Sequence, residues 1–124
     1  MDEKEFSVCF YSKANNQTPV EIFLDSLNTK EQQKIVAHIK LLEKYGNKLE
    51  RPYSAYLRDK IYELRIKVSR NQYRIFYFFY LDKKIILTNA MIKKTDEIPI
   101  QEIEKAVSYM NDFITRYKRG DIKL

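Results

Sequence analysis

Apolar residues alternate at the start of the chain: Phe6, Val8 and Phe10 are separated by Ser7 and Cys9, and Tyr11 closes the run. A period of two is the signature of a strand buried on one face. Polar residues 13–17 then break the pattern. Thr18-Pro19-Val20-Glu21 reads as a helix start, with Thr18 as cap, Pro19 in the first turn where its missing N–H costs nothing, and Glu21 closing a capping box. Thr29-Lys30-Glu31-Gln32 repeats that logic and opens a second helix, with Ile35, Ile39 and Leu42 as its apolar stripe and Gly46 as its C-cap. The two helices form a hairpin joined around Leu27 and Asn28.

The middle of the chain returns to period two. Over residues 61–68, Tyr62, Leu64 and Ile66 take one face and Glu63, Arg65 and Lys67 the other. Residues 69–72 turn the chain. Residues 73–81 form a long aromatic strand with Arg74, Phe76, Phe78 and Tyr80 on one face and Tyr73, Ile75, Tyr77 and Phe79 on the other. Asp82-Lys83-Lys84 turns back into a third strand over 85–92. Ile103, Ala106, Val107, Met110, Phe113, Ile114 and Tyr117 then mark one amphipathic helix beginning near Pro99. The order is strand, helical hairpin, three-stranded antiparallel meander, C-terminal helix. That is an α+β fold with the hairpin packed on the sheet.

Composition narrows the options. The 124 residues suit a single domain over 1–124, with no repeat or Gly/Ser-rich linker inside it. One cysteine rules out an internal disulfide, and one histidine rules out a His-rich metal cage or a two-histidine acid–base pair, so no metal or cofactor is expected. Met1-Asp2-Glu3-Lys4-Glu5 is too charged for a signal peptide, and the longest apolar stretch, 73–81, is too short to span a bilayer. A cytoplasmic protein without a membrane partner is expected.

Charge then points to a partner. The chain carries a net +6, but residues 51–95 hold eleven cations against three anions, Asp59, Glu63 and Asp82. All the excess positive charge lies in that block, interleaved with Tyr53, Tyr56, Tyr62, Tyr73, Tyr77 and Tyr80. Cations mixed with aromatic rings suit a phosphate backbone with stacking bases. They equally suit a solvated basic face over tyrosines packed in a sheet.

Few residues can carry chemistry. Gly46 and Gly120 are the only glycines, which excludes a Gly-rich phosphate loop. His38 lies mid-helix and Cys9 has no base placed beside it by spacing, so both read as structural. A strand-borne cationic cluster remains: Arg65, Arg74, and Lys93 with Lys94 at the end of the third strand. In an antiparallel meander these four can meet on one sheet face. Alternation alone explains Arg65 and Lys67 as solvated residues, but Arg74 heads a very apolar strand, where its charge needs a partner or a groove. Lys93 or Lys94 is available as a proton carrier, with Tyr62 or Tyr73 as a second. Arg58, Lys60, Lys67, Arg70, Lys83 and Lys84 extend the basic surface toward nucleic-acid phosphates.

Ile61-Tyr62-Glu63-Leu64-Arg65-Ile66, Tyr73-Arg74-Ile75-Phe76-Tyr77-Phe78-Phe79, Ile92-Lys93-Lys94-Thr95 and Glu102-Ile103-Glu104-Lys105-Ala106, at these separations, carry a family likeness. The sequence resembles the HigB branch of the RelE/ParE toxin superfamily, including its phage-derived HigB-like members, most strongly over residues 57–107. The resemblance implies a RelE/ParE-like fold and the toxin of a type II toxin–antitoxin system. It implies a metal-independent, ribosome-dependent mRNA endonuclease, inhibited by a helix-turn-helix, HigA-like antitoxin. The cationic positions of RelE-like toxins fall on Arg65, Arg74 and Lys94. Ile100 stands where family members often place a tyrosine. Two other readings fit the sequence: a ParE-like gyrase inhibitor on the same fold, and a non-catalytic RNA-binding module.

Overall fold

The computed structural model describes residues 6–124; the charged opening read above against a signal peptide lies outside them. In chain order the elements are β1 (Ser7–Phe10), α1 (Pro19–Asp25), α2 (Thr29–Tyr45), a single 3-10 turn (Gly46–Lys48), β2 (Ser54–Arg58), β3 (Ile61–Val68), β4 (Asn71–Tyr80), β5 (Lys84–Lys93) and α3 (Ile100–Lys118). The fold is α+β. Five strands form one mixed sheet in the order β1-β5-β4-β3-β2, with β1 parallel to β5 and every other pair antiparallel.

The meander has four strands rather than the expected three, because β2 pairs antiparallel with β3. Nothing in residues 54–58 announces a strand, and the turn that follows has no Asn-Gly or Asp-Gly signal. Asp59 and Lys60 instead take positive φ themselves, 52° and 72°. Hairpins need that left-handed pair to match strand twist, and glycine usually supplies part of it. Here the Tyr56 hydroxyl accepts the Lys60 N–H at 3.2 Å and braces the turn.

The helix caps also differ from expectation. The Thr18 hydroxyl makes no cap and lies 2.5 Å from the Ser12 hydroxyl, so no box forms with Glu21. Asn28, not Thr29, caps α2: its side chain accepts Glu31 N–H while the Glu31 carboxylate accepts Asn28 N–H, both at 2.9 Å. Gly46 ends α2 as expected, at φ +52°. A Cβ there would stand 2.0 Å from the Phe6 ring, so the position requires glycine twice over.

The sheet is buried on both faces. Val20, Ile35, Ile39 and Leu42 of the hairpin pack on Leu64, Ile66, Tyr73, Ile75, Tyr77, Ile85 and Leu87. On the other face Ala106, Met110 and Phe113 of α3 cover Ile61, Phe76, Phe78 and Ile86. Each fully buried large side chain contributes about 1.5–3 kcal/mol, which makes β4, buried from Tyr73 to Phe78, the centre of the molecule.

One irregularity in β5 sets up the site. Tyr77 pairs with Leu87 but Phe76 pairs with Asn89, leaving Thr88 as an extra residue. The Thr88 hydroxyl donates to the Phe76 carbonyl at 3.1 Å and so fixes the bulge. A single inserted residue reverses the facing of everything after it. Beyond Thr88, the odd-numbered Asn89, Met91 and Lys93 therefore lie on the α3 face.

Candidate nucleic-acid interface

The α3 face is only partly covered. Asn89 pins the first turn of the helix to β5, its amide donating to the Glu102 carbonyl at 3.2 Å. Past that row the face continues as two open rows of cross-strand neighbours: Arg65, Arg74 and Met91, then Lys67, Gln72 and Lys93.

Arg65 and Arg74 stand directly opposite each other, an arrangement that repels unless something compensates. Glu63 compensates. Its Oε2 accepts Arg65 Nε at 2.7 Å, and its Oε1 lies 3.3 Å from Arg74 Nε as an ion pair without hydrogen-bond alignment. The Arg74 guanidinium also donates to the Tyr73 carbonyl at 3.2 Å and to Gln72 Oε1 at 3.1 Å. Burial lowers the pKa of Arg74, the Glu63 carboxylate partly opposing it; the guanidinium nevertheless stays charged.

The three ionic groups are not equally accessible. The Glu63 side chain is 2% exposed and that of Arg74 5%, whereas Arg65 is 29% exposed. Two guanidiniums over one carboxylate leave a net positive charge, with Lys67 exposed and Lys93 half-buried beside it. Met91 supplies an apolar floor. The arrangement suits an anion that takes donors from Arg65 and Lys93 while Glu63, itself paired with Arg74, holds Arg65 from beneath.

The sequence reading placed Arg65, Arg74, Lys93 and Lys94 on one face. Register brings the first three together, but Lys94 lies one residue past the end of β5, exposed. Unbroken alternation from Ile86 would have put Lys94 on the Arg65 face; the Thr88 bulge substitutes Lys93. Arg74, expected to front the face, lies under Gln72. Tyr62 and Tyr73 belong to the opposite face, which removes them as proton carriers: Tyr62 stacks on Tyr77, and the buried Tyr73 hydroxyl donates to Glu31.

The wider basic set divides. Lys67 and Arg70 lie at the site's end of the sheet. Lys60 precedes β3, five residues or about 17 Å from Arg65, and Arg58 lies on β2 opposite Ile61, four strand residues from Arg65. Arg58 there pairs with Asp59 at 3.2 Å. Lys83 and Lys84 lie at that same far end, Lys83 over the Phe6 ring and Lys84 opposite Tyr80. Among the described residues no group of three or more His, Cys, Asp or Glu could hold a metal ion, and no helix is long and apolar enough to cross a membrane. His38 is half-buried, its Nδ1 2.9 Å from the Lys34 carbonyl.

Glu63 and Gln72 are the members that sequence reading missed. Alternation puts Glu63 on the Arg65 face but gives it no role in the cluster.

The family model of phage derived protein Gp49-like (DUF891) matches residues 22–111, well over half of the chain and inclusive of every residue of this face. No curated protein matches the chain.

Proposed function

The chain belongs to the phage-derived Gp49-like family, a toxin-like family related to RelE and HigB, and on that premise we propose that it is the toxin of a toxin–antitoxin pair that cleaves messenger RNA on the ribosome. The observation that carries the reading is the open cationic face on which Glu63 holds Arg65 beside Arg74 and Lys93.

Cleavage of RNA without a metal uses the 2′-hydroxyl as nucleophile. Its oxygen bonds to the adjacent phosphorus, the bond to the 5′-oxygen breaks, and in net one proton moves from the 2′-hydroxyl to that leaving oxygen. The products are a 2′,3′-cyclic phosphate and a free 5′-hydroxyl. Charge builds on the non-bridging oxygens, where a guanidinium binds bidentately and stays protonated. Arg65 takes that role and Arg74 is a positioning residue beneath it. Of the two lysines beside them, Lys67 and Lys93, the half-buried Lys93 protonates the leaving oxygen, and the 2′-proton passes through solvent to restore it. A site this sparse gains from a partner that orients the substrate, which the ribosome would supply. The inhibitor expected with such a toxin is a helix-turn-helix, HigA-like antitoxin.

The test is chemical. A message with a single 2′-deoxynucleotide at the mapped cut should stay intact at that position, and the all-ribose message should yield 2′,3′-cyclic phosphate ends. Cutting of the deoxy message at the parental rate would overturn the mechanism. Intact messages throughout, from a protein that still arrests growth, would favour a gyrase inhibitor or a non-catalytic binder on the same fold.

A further inference from the structure

Along β3 the sheet loses its outer neighbour before the strand ends. The Tyr53 carbonyl accepts Arg65 N–H at 2.8 Å, and β2 proper begins only at Ser54, opposite Leu64. Backbone groups alternate sides along a strand, so Lys67, two residues on, also directs its N–H and C=O toward that open edge. The helix α2 runs beside the gap and makes a groove with it, lined by Lys30, Gln33 and Lys34 from the helix and Lys67 and Ser69 from the strand end. No acidic side chain lines this groove. Among the described residues Lys30, Lys34 and Lys67 enter no ion pair. Lys30 stands in the first turn of α2, where the helix dipole disfavours a cation, so helix stability does not account for it.

We propose that this groove is a second phosphate-binding site, which takes the backbone of single-stranded RNA as it runs off the Arg65 face. The inference rests on the RNA reading of that face. Lys67 joins the two: strand alternation places its side chain with Arg65, two residues and about 7 Å away, and it also lines the groove. Ammonium groups, the Ser69 hydroxyl, the Gln33 amide and an edge N–H are donors that a phosphate accepts without base specificity. An acidic polypeptide would satisfy the lysines as well. Lys67, at the sheet edge where the α2 face meets the Arg65 face, links the groove to the Arg65 cations and favours a polyphosphate chain.

The experiment measures binding of a short single-stranded RNA, about ten nucleotides, against salt concentration. The proteins are the unmodified chain, K30A/K34A, K40A/K44A and R65A. All four helix lysines removed are replaced by the better helix former, and K40A/K44A removes equal charge from the same helix outside the groove. Each phosphate neutralised on a single strand contributes about 0.7 to the slope of log K on log salt, so K30A/K34A should lower the slope by about 1.4. K40A/K44A should leave it nearly unchanged. Equal losses in both double variants would overturn the groove as a site, as would an unchanged slope in K30A/K34A. If R65A alone weakens binding, the groove fails and the reading of the Arg65 face stands. Failure of the unmodified chain to bind RNA also overturns the groove, and the cleavage chemistry above then judges the face separately. Binding of poly-glutamate that K30A/K34A abolishes, with RNA binding unaffected, would assign the groove to an acidic protein segment and overturn the proposal.

Discussion

Two guanidiniums facing each other across neighbouring strands repel, and in this sheet a single buried carboxylate holds Arg65 and Arg74 in place. Removing it leaves two positive charges together, one of them almost out of water. Glu63→Ala should therefore destabilise the fold by about 3–5 kcal/mol, as breaking a buried ion pair does. Replacing Glu63 and Arg74 together by methionine should cost far less than the sum of the single changes. Urea denaturation of the single and double variants measures this, and additive losses would show that the pair does not act as a unit. Hydropathy alternation revealed that Glu63, Arg65 and Arg74 share a face. It could not reveal that they meet, because register between strands is set by turns and bulges rather than by either strand alone. Gln72 was invisible for the same reason: residues 69–72 read as a turn, although β4 begins at Asn71.

At the scale of elements, α2, α3 and the long strands were legible because each has a clear apolar period, and the short α1 from its start at Pro19. The losses came where backbone geometry departs from its usual residues. β2 is short and leaves through a turn whose positive φ values fall on Asp59 and Lys60. The Thr88 bulge leaves the hydrophobic pattern of β5 almost intact while it exchanges Lys94 for Lys93. The long-range anchor of α3 was equally hidden: the Tyr11 hydroxyl donates to Asp112 at 2.6 Å, and Arg116 holds the same carboxylate at 2.8 Å. The Tyr11 hydrogen bond, with Arg116, keeps the Asp112 pKa below its ordinary value. Burial and that carboxylate push Tyr11 up to about 12. The two shifts act at opposite ends of the pH scale. Asp112 stabilises the fold above the unfolded carboxyl pKa, about 3.9, and that contribution is lost as pH falls through its depressed folded value. Tyr11 contributes below about 10, its unfolded value, and its contribution is lost as pH rises toward its folded one. Asp112→Asn should flatten the acid limb of the stability curve and Tyr11→Phe should reduce the alkaline one. Stability–pH profiles that overlay the unmodified protein's would contradict the anchor.

Across the whole molecule, the hairpin and α3 bury the two faces of one sheet, but α3 begins late enough to leave two rows of β3, β4 and β5 uncovered. That gap is where the charge concentrated in residues 51–95 becomes a surface rather than a composition. Arg65 and Lys93 front it, and Arg74 and Glu63 set it from below. The far-end cations, Arg58, Lys60, Lys83 and Lys84, are too distant to share one phosphate with Arg65; any contact they make with nucleic acid requires a large partner. The central claim is that this face cuts messenger RNA when the ribosome presents it. Primer extension on a defined message in a reconstituted translation reaction, with and without ribosomes, tests it most directly. We predict cuts within codons that require ribosomes and fall about a hundredfold in rate with Arg65→Ala, the loss typical of one transition-state donor. Cuts that persist at the parental rate in Arg65→Ala, or no cuts at all from folded protein, would contradict it.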